Sequence, residues 1–189
     1  MEERSLARRM GRAILGIGFA LLVGVIGYWL APEKSPDRTL LNDWLAFSVY
    51  ASQGVEREAP VQDLQQAATF IRERLRRAVT VPAIDGVILE GVGVLSLDEE
   101  VAVPVLMYRL PDSTSIRVLV YNYAILDRME EWMVSDSLYQ VLEEEGKFYS
   151  TQIGAYTVLV WRWRDDIYVA ISLLPAEELT RRIHRLREG

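Results

Sequence analysis

The longest apolar stretch of the chain lies near its start. Residues 13–31 carry no charge, arginines precede them, and Pro32 follows them. In a helix this stretch would extend roughly 28 Å, which is close to the thickness of the hydrocarbon core of a bilayer. Trp29 stands before Ala31 at a position where signal cleavage needs a small residue, so cleavage is not expected. The pattern therefore predicts a permanent membrane-spanning helix at 13–31.

Basic residues set the expected orientation of this helix. More of them precede the span than follow it, and the positive-inside rule then keeps the N-terminus in the cytoplasm. The arginines before the span are Arg4, Arg8, Arg9 and Arg12. We expect a cytoplasmic tail at 1–12, a linker at 32–40 and an extracytoplasmic, periplasmic domain at 41–189. The span would hold this domain at the inner (cytoplasmic) membrane, in contact with the lipid bilayer.

Small residues line one side of the predicted span. They are Gly16, Ala20, Gly24 and Gly27. Their spacing would let the backbone of another helix approach closely, and that helix would belong either to another protein or to a second copy of this chain. The alternative is that glycine is simply common in membrane helices. The sequence leaves both interpretations open.

Beyond the linker, the apolar positions follow the periods of a folded domain. Residues 40–54 fit either a helix or a strand, and Gly54 ends the element in both cases. Apolar residues then recur at spacings of three and four from Val61 to Ala78, opposite Arg and Glu side chains. This spacing predicts an amphipathic helix on a core, with Pro60 in its first turn.

Alternation typical of strands follows this helix. The stretches 86–97, 101–110 and 115–124 are rich in Val, Leu and Tyr and are separated by turn-forming residues, which predicts three antiparallel strands. Residues 126–146 have a helical composition. Their apolar periodicity breaks at 135–137, and Gly146 is the expected C-terminal cap.

A hairpin and a helix complete the chain. After KFYSTQIG, the stretch 156–174 is typical of two strands joined at Arg164–Asp166. Pro175 starts a last helix with glutamates in its first turn and arginines later, the arrangement that the helix dipole favours. The predicted fold class is α+β: one N-terminal transmembrane helix, followed by a single domain with a mostly antiparallel sheet packed by helices.

Charge balance and the lack of cysteine exclude several functions. The chain has 21 basic and 27 acidic residues and a net charge of −6, which argues against nucleic acid as a partner. It contains no cysteine. Disulfides, thiolate catalysis and cysteine-ligated zinc are therefore excluded.

No residue pattern points to catalysis. His184, the only histidine, falls on the solvent side of the last predicted helix. The acidic runs at 98–100, 143–145 and 165–166 lie at predicted turns or helix ends, where solvated charge is usual, and their spacing does not match a calcium loop. GVGV at 91–94 lies inside a predicted strand and lacks the pattern of a dinucleotide loop. We therefore expect neither an enzyme activity nor a cofactor or metal.

Aromatic residues cluster on the predicted sheet. Trp161 and Trp163 share one strand face, and Tyr108, Tyr121 and Tyr123 lie on neighbouring strands. Exposed aromatic side chains would form a surface for a protein partner, whereas buried ones would form a core under a helix. We favour burial of the two tryptophans, yet the sheet is still the best candidate for contact with another protein.

The order of these elements resembles a known family. The strings FSVYASQGVEREAPV, LRRAVTVPAIDGVILEGVGVLSL, VAVPVLMYRLPDSTSIRVLVYNY and YTVLVWRWRDDIYVAISLLPAEELTRRI follow one another between residues 45 and 185. Together with the preceding span, they resemble the extracytoplasmic half of transmembrane anti-sigma factors. Those regulators hold the sigma factor with a cytoplasmic domain, often through a His and Cys zinc motif. Here about twelve residues precede the span and cysteine is absent, so sigma-factor binding cannot be carried over. The resemblance implies a non-enzymatic sensing or docking domain whose signalling half is missing or supplied by another chain.

Two functions are therefore expected from the sequence. The first is a non-enzymatic, single-pass inner-membrane protein whose extracytoplasmic domain is a protein-interaction or sensing module similar to that of anti-sigma factors. The second is a structural accessory subunit of a larger membrane protein complex, with the small-residue helix face packed against neighbouring spans.

Overall fold

The computed structural model describes residues 43–97, 101–124 and 134–183. All of them belong to one structural unit, Thr39–Gly189. In chain order the described elements are α1 (Trp44–Gln53), β1 (Ala59–Pro60), α2 (Leu64–Leu75), β2 (Ile88–Ser96), β3 (Ala102–Arg109), β4 (Ser115–Asn122), α3 (Asp136–Glu143), β5 (Phe148–Ile153), β6 (Tyr156–Trp163), β7 (Asp166–Ser172) and α4 (Ala176–Ile183).

The strands form a single antiparallel sheet with the order β1-β2-β3-β4-β7-β6-β5. The three predicted strands β2, β3 and β4 are confirmed, and so is the hairpin of β6 and β7. This hairpin pairs with β4 through β7, so that Asn122 lies opposite Asp166. The β6–β7 hairpin therefore lies between β4 and β5, and β5 forms the edge of the sheet opposite β1.

Both faces of the sheet are buried. On the face that we call the front, α2, α4 and an irregular segment at 79–84, the strap, pack on the strands. On the back face, α1 and α3 pack on the strands. Successive strand residues point to opposite faces; on β6, Leu159 and Trp161 enter the front core while Val158 and Val160 enter the back core. This is why the strand sequences are almost continuously apolar.

Two glycines in β2 let the chain cross from one face to the other. A Cβ atom on Gly93 would lie 2.3 Å from the carbonyl oxygen of Glu56, and one on Gly91 would lie 2.8 Å from that of Ala59. The segment between α1 and β1 therefore runs directly against the backbone of β2, where a side chain cannot fit. GVGV lies within β2, as predicted, and its glycines serve this close approach.

The starts of the first two helices correct the sequence interpretation. The ambiguous stretch 40–54 contains helix α1, whose N-cap Asp43 accepts hydrogen bonds from the backbone N–H of Leu45 and Ala46. Pro60 was predicted in the first turn of the next helix but lies in β1, opposite Gly91. Helix α2 begins only after its N-cap, Asp63.

Two element boundaries also differ from the predictions. Ser135 caps α3, the described part of the predicted helix at 126–146, and Glu144 is its C-cap; Gly146, with φ 78°, follows two residues later. In the hairpin, Asp166 pairs with Trp163, so the turn consists of Arg164 and Asp165 alone. Helix α4 follows Pro175, as predicted.

The predicted fold class is wrong in its first element. A membrane span needs about 20 apolar residues, whereas α2, the longest described helix, has 12. No helix among the described residues is long and apolar enough to cross a membrane. The predicted span at 13–31 lies outside the described residues, and so do Gly16, Ala20, Gly24 and Gly27. The described residues form an α+β domain of seven antiparallel strands and four helices.

Candidate interaction surface

The aromatic residues predicted to form a partner surface lie mostly in the core. Tyr108, Tyr121 and Trp161 have exposed fractions of 2, 0 and 4 %. Tyr108 and Trp161 belong to the front core and Tyr121 to the back core, so they do not share one surface. Because both faces are covered, most positions of the central strands are buried. These three residues are therefore core residues and do not form the surface predicted for a protein partner.

The other two predicted surface residues are half-buried. Trp163 packs against the front core and Tyr123 against the back core. The guanidinium of Arg162 lies 4.1 Å from the centre of the Tyr123 ring, a cation–π contact. Part of each side chain is therefore taken up by core packing, and one face of the Tyr123 ring by Arg162.

Two buried tyrosines hold the strap on the front face. The Tyr108 hydroxyl donates to the carbonyl oxygen of Pro82 at 2.7 Å, and the Tyr168 hydroxyl donates to that of Thr80 at 2.9 Å. Burial raises the pKa of both hydroxyls above the ordinary tyrosine value. Both groups therefore stay protonated, and keep donating, at pH values where an exposed tyrosine begins to ionise.

The described domain has an open groove at the β1 edge of the sheet. Pro60 and Val61 form one wall, and the polar side of α2 forms the other. The helix wall consists of Gln66, Thr69, Phe70 and Glu73, which are three, four and seven positions apart and so share one helix side. The groove has a volume of about 530 Å³, within the range of ligand-binding clefts in proteins.

Two polar side chains of this groove are occupied by the helix cap. Asp63 accepts from the backbone N–H of Gln66 at 2.8 Å, and the Gln66 side chain accepts from the backbone N–H of Gln62 at 3.0 Å. This reciprocal arrangement resembles a capping box. Gln65, Thr69 and Glu73 further line the groove and take no part in this cap.

The groove is better suited to binding than to acid–base chemistry. Its carboxylates, Asp63 and Glu73, are ten positions apart, about 15 Å along a helix axis, too far for a catalytic pair. Amide and hydroxyl groups beside the ring of Phe70 instead match the alternating polar and apolar character of a polypeptide.

Candidate metal and catalytic clusters find little support in the described structure. Among residues 43–97, 101–124 and 134–183, no group of three or more His, Cys, Asp or Glu side chains could hold a metal ion. In the acidic run at 165–166, Asp166 pairs with Arg77 on the front face. His184 and the acidic run at 98–100 lie outside the described residues. The predicted lack of enzyme activity and of cofactors stays a prediction.

The groove itself was missed by the sequence analysis. The sequence predicts an amphipathic helix with Arg and Glu side chains opposite its apolar stripe and gives no indication of a groove on that side. The spacing of Asp63 and Gln66, a capping pair, would have placed the helix start after Pro60. Even so, the sequence contains no signal that β1 and α2 lie next to each other.

Comparisons of the chain with protein-family models, with curated proteins and with solved structures gave no match. The resemblance to anti-sigma factors therefore stays a prediction, and the function is argued from the geometry.

Proposed function

We infer that the domain is a non-enzymatic protein-interaction module whose groove between β1 and α2 holds a segment of a partner polypeptide. The observation that carries this proposal is the lining of the groove, which combines the polar side chains of Gln65 and Thr69 with the half-buried ring of Phe70. Such a wall offers hydrogen bonds to a polypeptide backbone and an apolar contact to its side chains.

The sheet edge beside the groove determines how a segment would bind. β1 has only two residues, and Pro60 has no N–H to donate. A partner strand would therefore gain few backbone hydrogen bonds here, and recognition would depend on side chains of α2. The expected binding mode is therefore contact with the side of a helix, not the addition of a strand to the sheet.

This proposal keeps the sensing or docking role implied by the resemblance to the extracytoplasmic half of anti-sigma factors. The location at the inner membrane stays a prediction. The alternative of a structural subunit in a membrane complex depended on the small-residue face at 16–27, which lies outside the described residues, and stays a prediction as well.

A peptide selection on the full-length chain tests the proposal. The probe is a random peptide library displayed on phage, selected against the wild-type chain. We expect Thr69→Arg, which fills the groove, to weaken the binding of the selected peptides at least tenfold. Gln140→Arg on α3 introduces the same charge on an exposed position of the back-face layer and should leave binding within twofold.

Two results would contradict the proposal. One is the failure of the library to enrich any peptide on the wild-type chain. The other is equal binding of the selected peptides by the wild type and by Thr69→Arg, since the bound site would then lie elsewhere.

A further inference from the structure

The two edges of the sheet differ in how well they are protected. At one edge, β1 has two residues and contains Pro60. At the other edge, β5 has six residues, Phe148–Ile153, with neither a charge nor a proline, and its register with β6 is continuous. Natural edge strands usually carry a charge, a proline or a bulge that blocks pairing with another chain. β5 has none of these devices.

The hairpin geometry shows which backbone groups of β5 point away from the sheet. The β5–β6 turn has two residues, and Gly154 has a φ of 60°, as favoured hairpin turns require. Ile153 and Tyr156 flank this turn and form a hydrogen-bonded pair, after which hydrogen-bonded and non-hydrogen-bonded pairs alternate. The N–H and C=O groups of Ser150 and Gln152 consequently point outward.

These outward groups have no backbone partner within the described part of the chain. β5 pairs only with β6 there, and no described hydrogen bond reaches the outer side of Ser150 or Gln152. The side chains of both residues are exposed. The edge thus offers two donors and two acceptors at a spacing of two residues, which an antiparallel strand can satisfy.

We propose that β5 pairs with β5 of a second copy of this chain, in the antiparallel register that sets Ser150 opposite Gln152 of the other copy. In this register both outward residues of each strand form hydrogen-bonded pairs, which gives four backbone hydrogen bonds. Thr151 lies on the two-fold axis, opposite itself. The two sheets would join into one continuous sheet across a C2 interface, the commonest symmetry of homo-oligomers.

The side chains of β5 fit this occupant. Tyr149 and Ile153, which pack against the back core, would face each other across the interface, and Thr151 would face Thr151. Pairs of an aromatic and a β-branched side chain are favourable across neighbouring strands, and so are pairs of threonines. Because the strand carries no charge, a second copy meets no like-charge repulsion.

A cysteine introduced at the two-fold axis tests the register. The chain has no cysteine of its own, so the new thiol is the only one present. In Thr151→Cys the two Cα atoms would lie about 4.5 Å apart, as in a non-hydrogen-bonded pair, close enough for a disulfide. In Ser150→Cys, the matched control, they would lie beyond about 7 Å, too far to bridge.

We expect mild oxidation of the full-length chain to convert most of Thr151→Cys to a disulfide-linked dimer on a non-reducing gel, and to leave Ser150→Cys monomeric. Equal crosslinking of both variants would overturn the register. Failure of Thr151→Cys to crosslink, or its crosslinking to a different protein in cells, would overturn self-pairing.

A charge at the same position tests the association itself. Thr151→Lys sets two ammonium groups opposite each other and should raise the dimer dissociation constant of the full-length chain at least tenfold, as measured by sedimentation equilibrium. Tyr139→Lys on α3 is the control and should leave it within twofold. An unchanged circular dichroism spectrum would show that both variants fold. A wild-type chain that stays monomeric at every concentration would contradict the proposal.

This inference does not depend on the peptide groove, because β1 and β5 form opposite edges of the sheet. Thr151→Lys should leave peptide binding unchanged, and Thr69→Arg should leave the dimer unchanged.

Discussion

The front and back faces of the sheet are covered by different structures and held by different polar groups. On the front, the strap has no secondary structure, and its carbonyls accept hydrogen bonds from Tyr108 and Tyr168. On the back, arginines of the sheet donate to helix ends. Arg117 donates to the carbonyls of Ser52, in the last turn of α1, and of Val55, just after it, and Arg162 donates to that of Leu142 in α3.

On both faces, side chains supply hydrogen bonds to backbone carbonyls that lie outside regular secondary structure or at the end of a helix. A buried carbonyl without a partner costs about 1–3 kcal/mol, so each face needs donors wherever helical or sheet hydrogen bonds end. Neutral hydroxyls are sufficient for the strap, whose Val79, Val81 and Ile84 side chains are buried. The helix C-termini carry partial negative charge and are served by guanidinium groups.

The largest effect is expected from the front core. The Trp161 ring stacks on Tyr168 with centroids 5.0 Å apart and also contacts Phe148. Trp161→Ala should lower the free energy of unfolding by about 3–5 kcal/mol, because it leaves a cavity under the strap. Urea denaturation measures this value. Tyr139→Ala on α3, where half of the side chain is exposed, should change it by less than about 0.5 kcal/mol.

The second-largest loss of stability is expected at β2, where the segment between α1 and β1 crosses from the back face to the front. Gly93→Ala would bring a Cβ against the Glu56 carbonyl and should destabilise the domain by about 2–3 kcal/mol, the usual cost of overpacking. Gly54→Ala is the matched control, since its nearest contact would be 3.7 Å away and its φ is −83°. It should be neutral or slightly stabilising. Equal loss in both variants would refute the close approach at β2.

The arginine hydrogen bonds of the back face should contribute more stability than the tyrosine hydrogen bonds of the front face. Arg117→Met removes a charged donor from two carbonyls at the end of α1 and should cost about 2 kcal/mol. Tyr168→Phe removes one neutral hydrogen bond to the strap and should cost about 1 kcal/mol. Urea denaturation of both variants orders them, and a larger loss in Tyr168→Phe would reverse the proposed ranking of the faces.

The smallest effect is a pH dependence from Asp166 on the front face. Burial raises its pKa above the ordinary carboxyl value, an effect larger than the opposing influence of Arg77. Between the unfolded and the raised folded pKa, the folded domain holds the extra proton, so stability falls as pH rises through this window just above about 4. The difference in unfolding free energy, wild type minus Asp166→Asn, should therefore fall with pH. A difference that rises with pH would show that Arg77 dominates.

The sequence by itself determined the types of most elements. Alternation placed β2, β3, β4 and the β6–β7 hairpin, and a period of three to four residues placed α2 and α4. The capping signals gave the start of α4 after Pro175 and would have given that of α2 at Asp63. These signals are local, because the apolar periodicity of a helix or a strand is visible within a short stretch of sequence.

Only the tertiary structure decided which side of each strand is covered and by what. Alternation assigns Trp161 and Val160 to opposite faces, but both faces are buried here, so the aromatic residues predicted for a surface became core. The groove and the position of β5 at an edge of the described sheet depend on strand order, which pairs segments far apart in the chain. No local pattern encodes such neighbours, since they are set by the packing of the whole sheet between its helices.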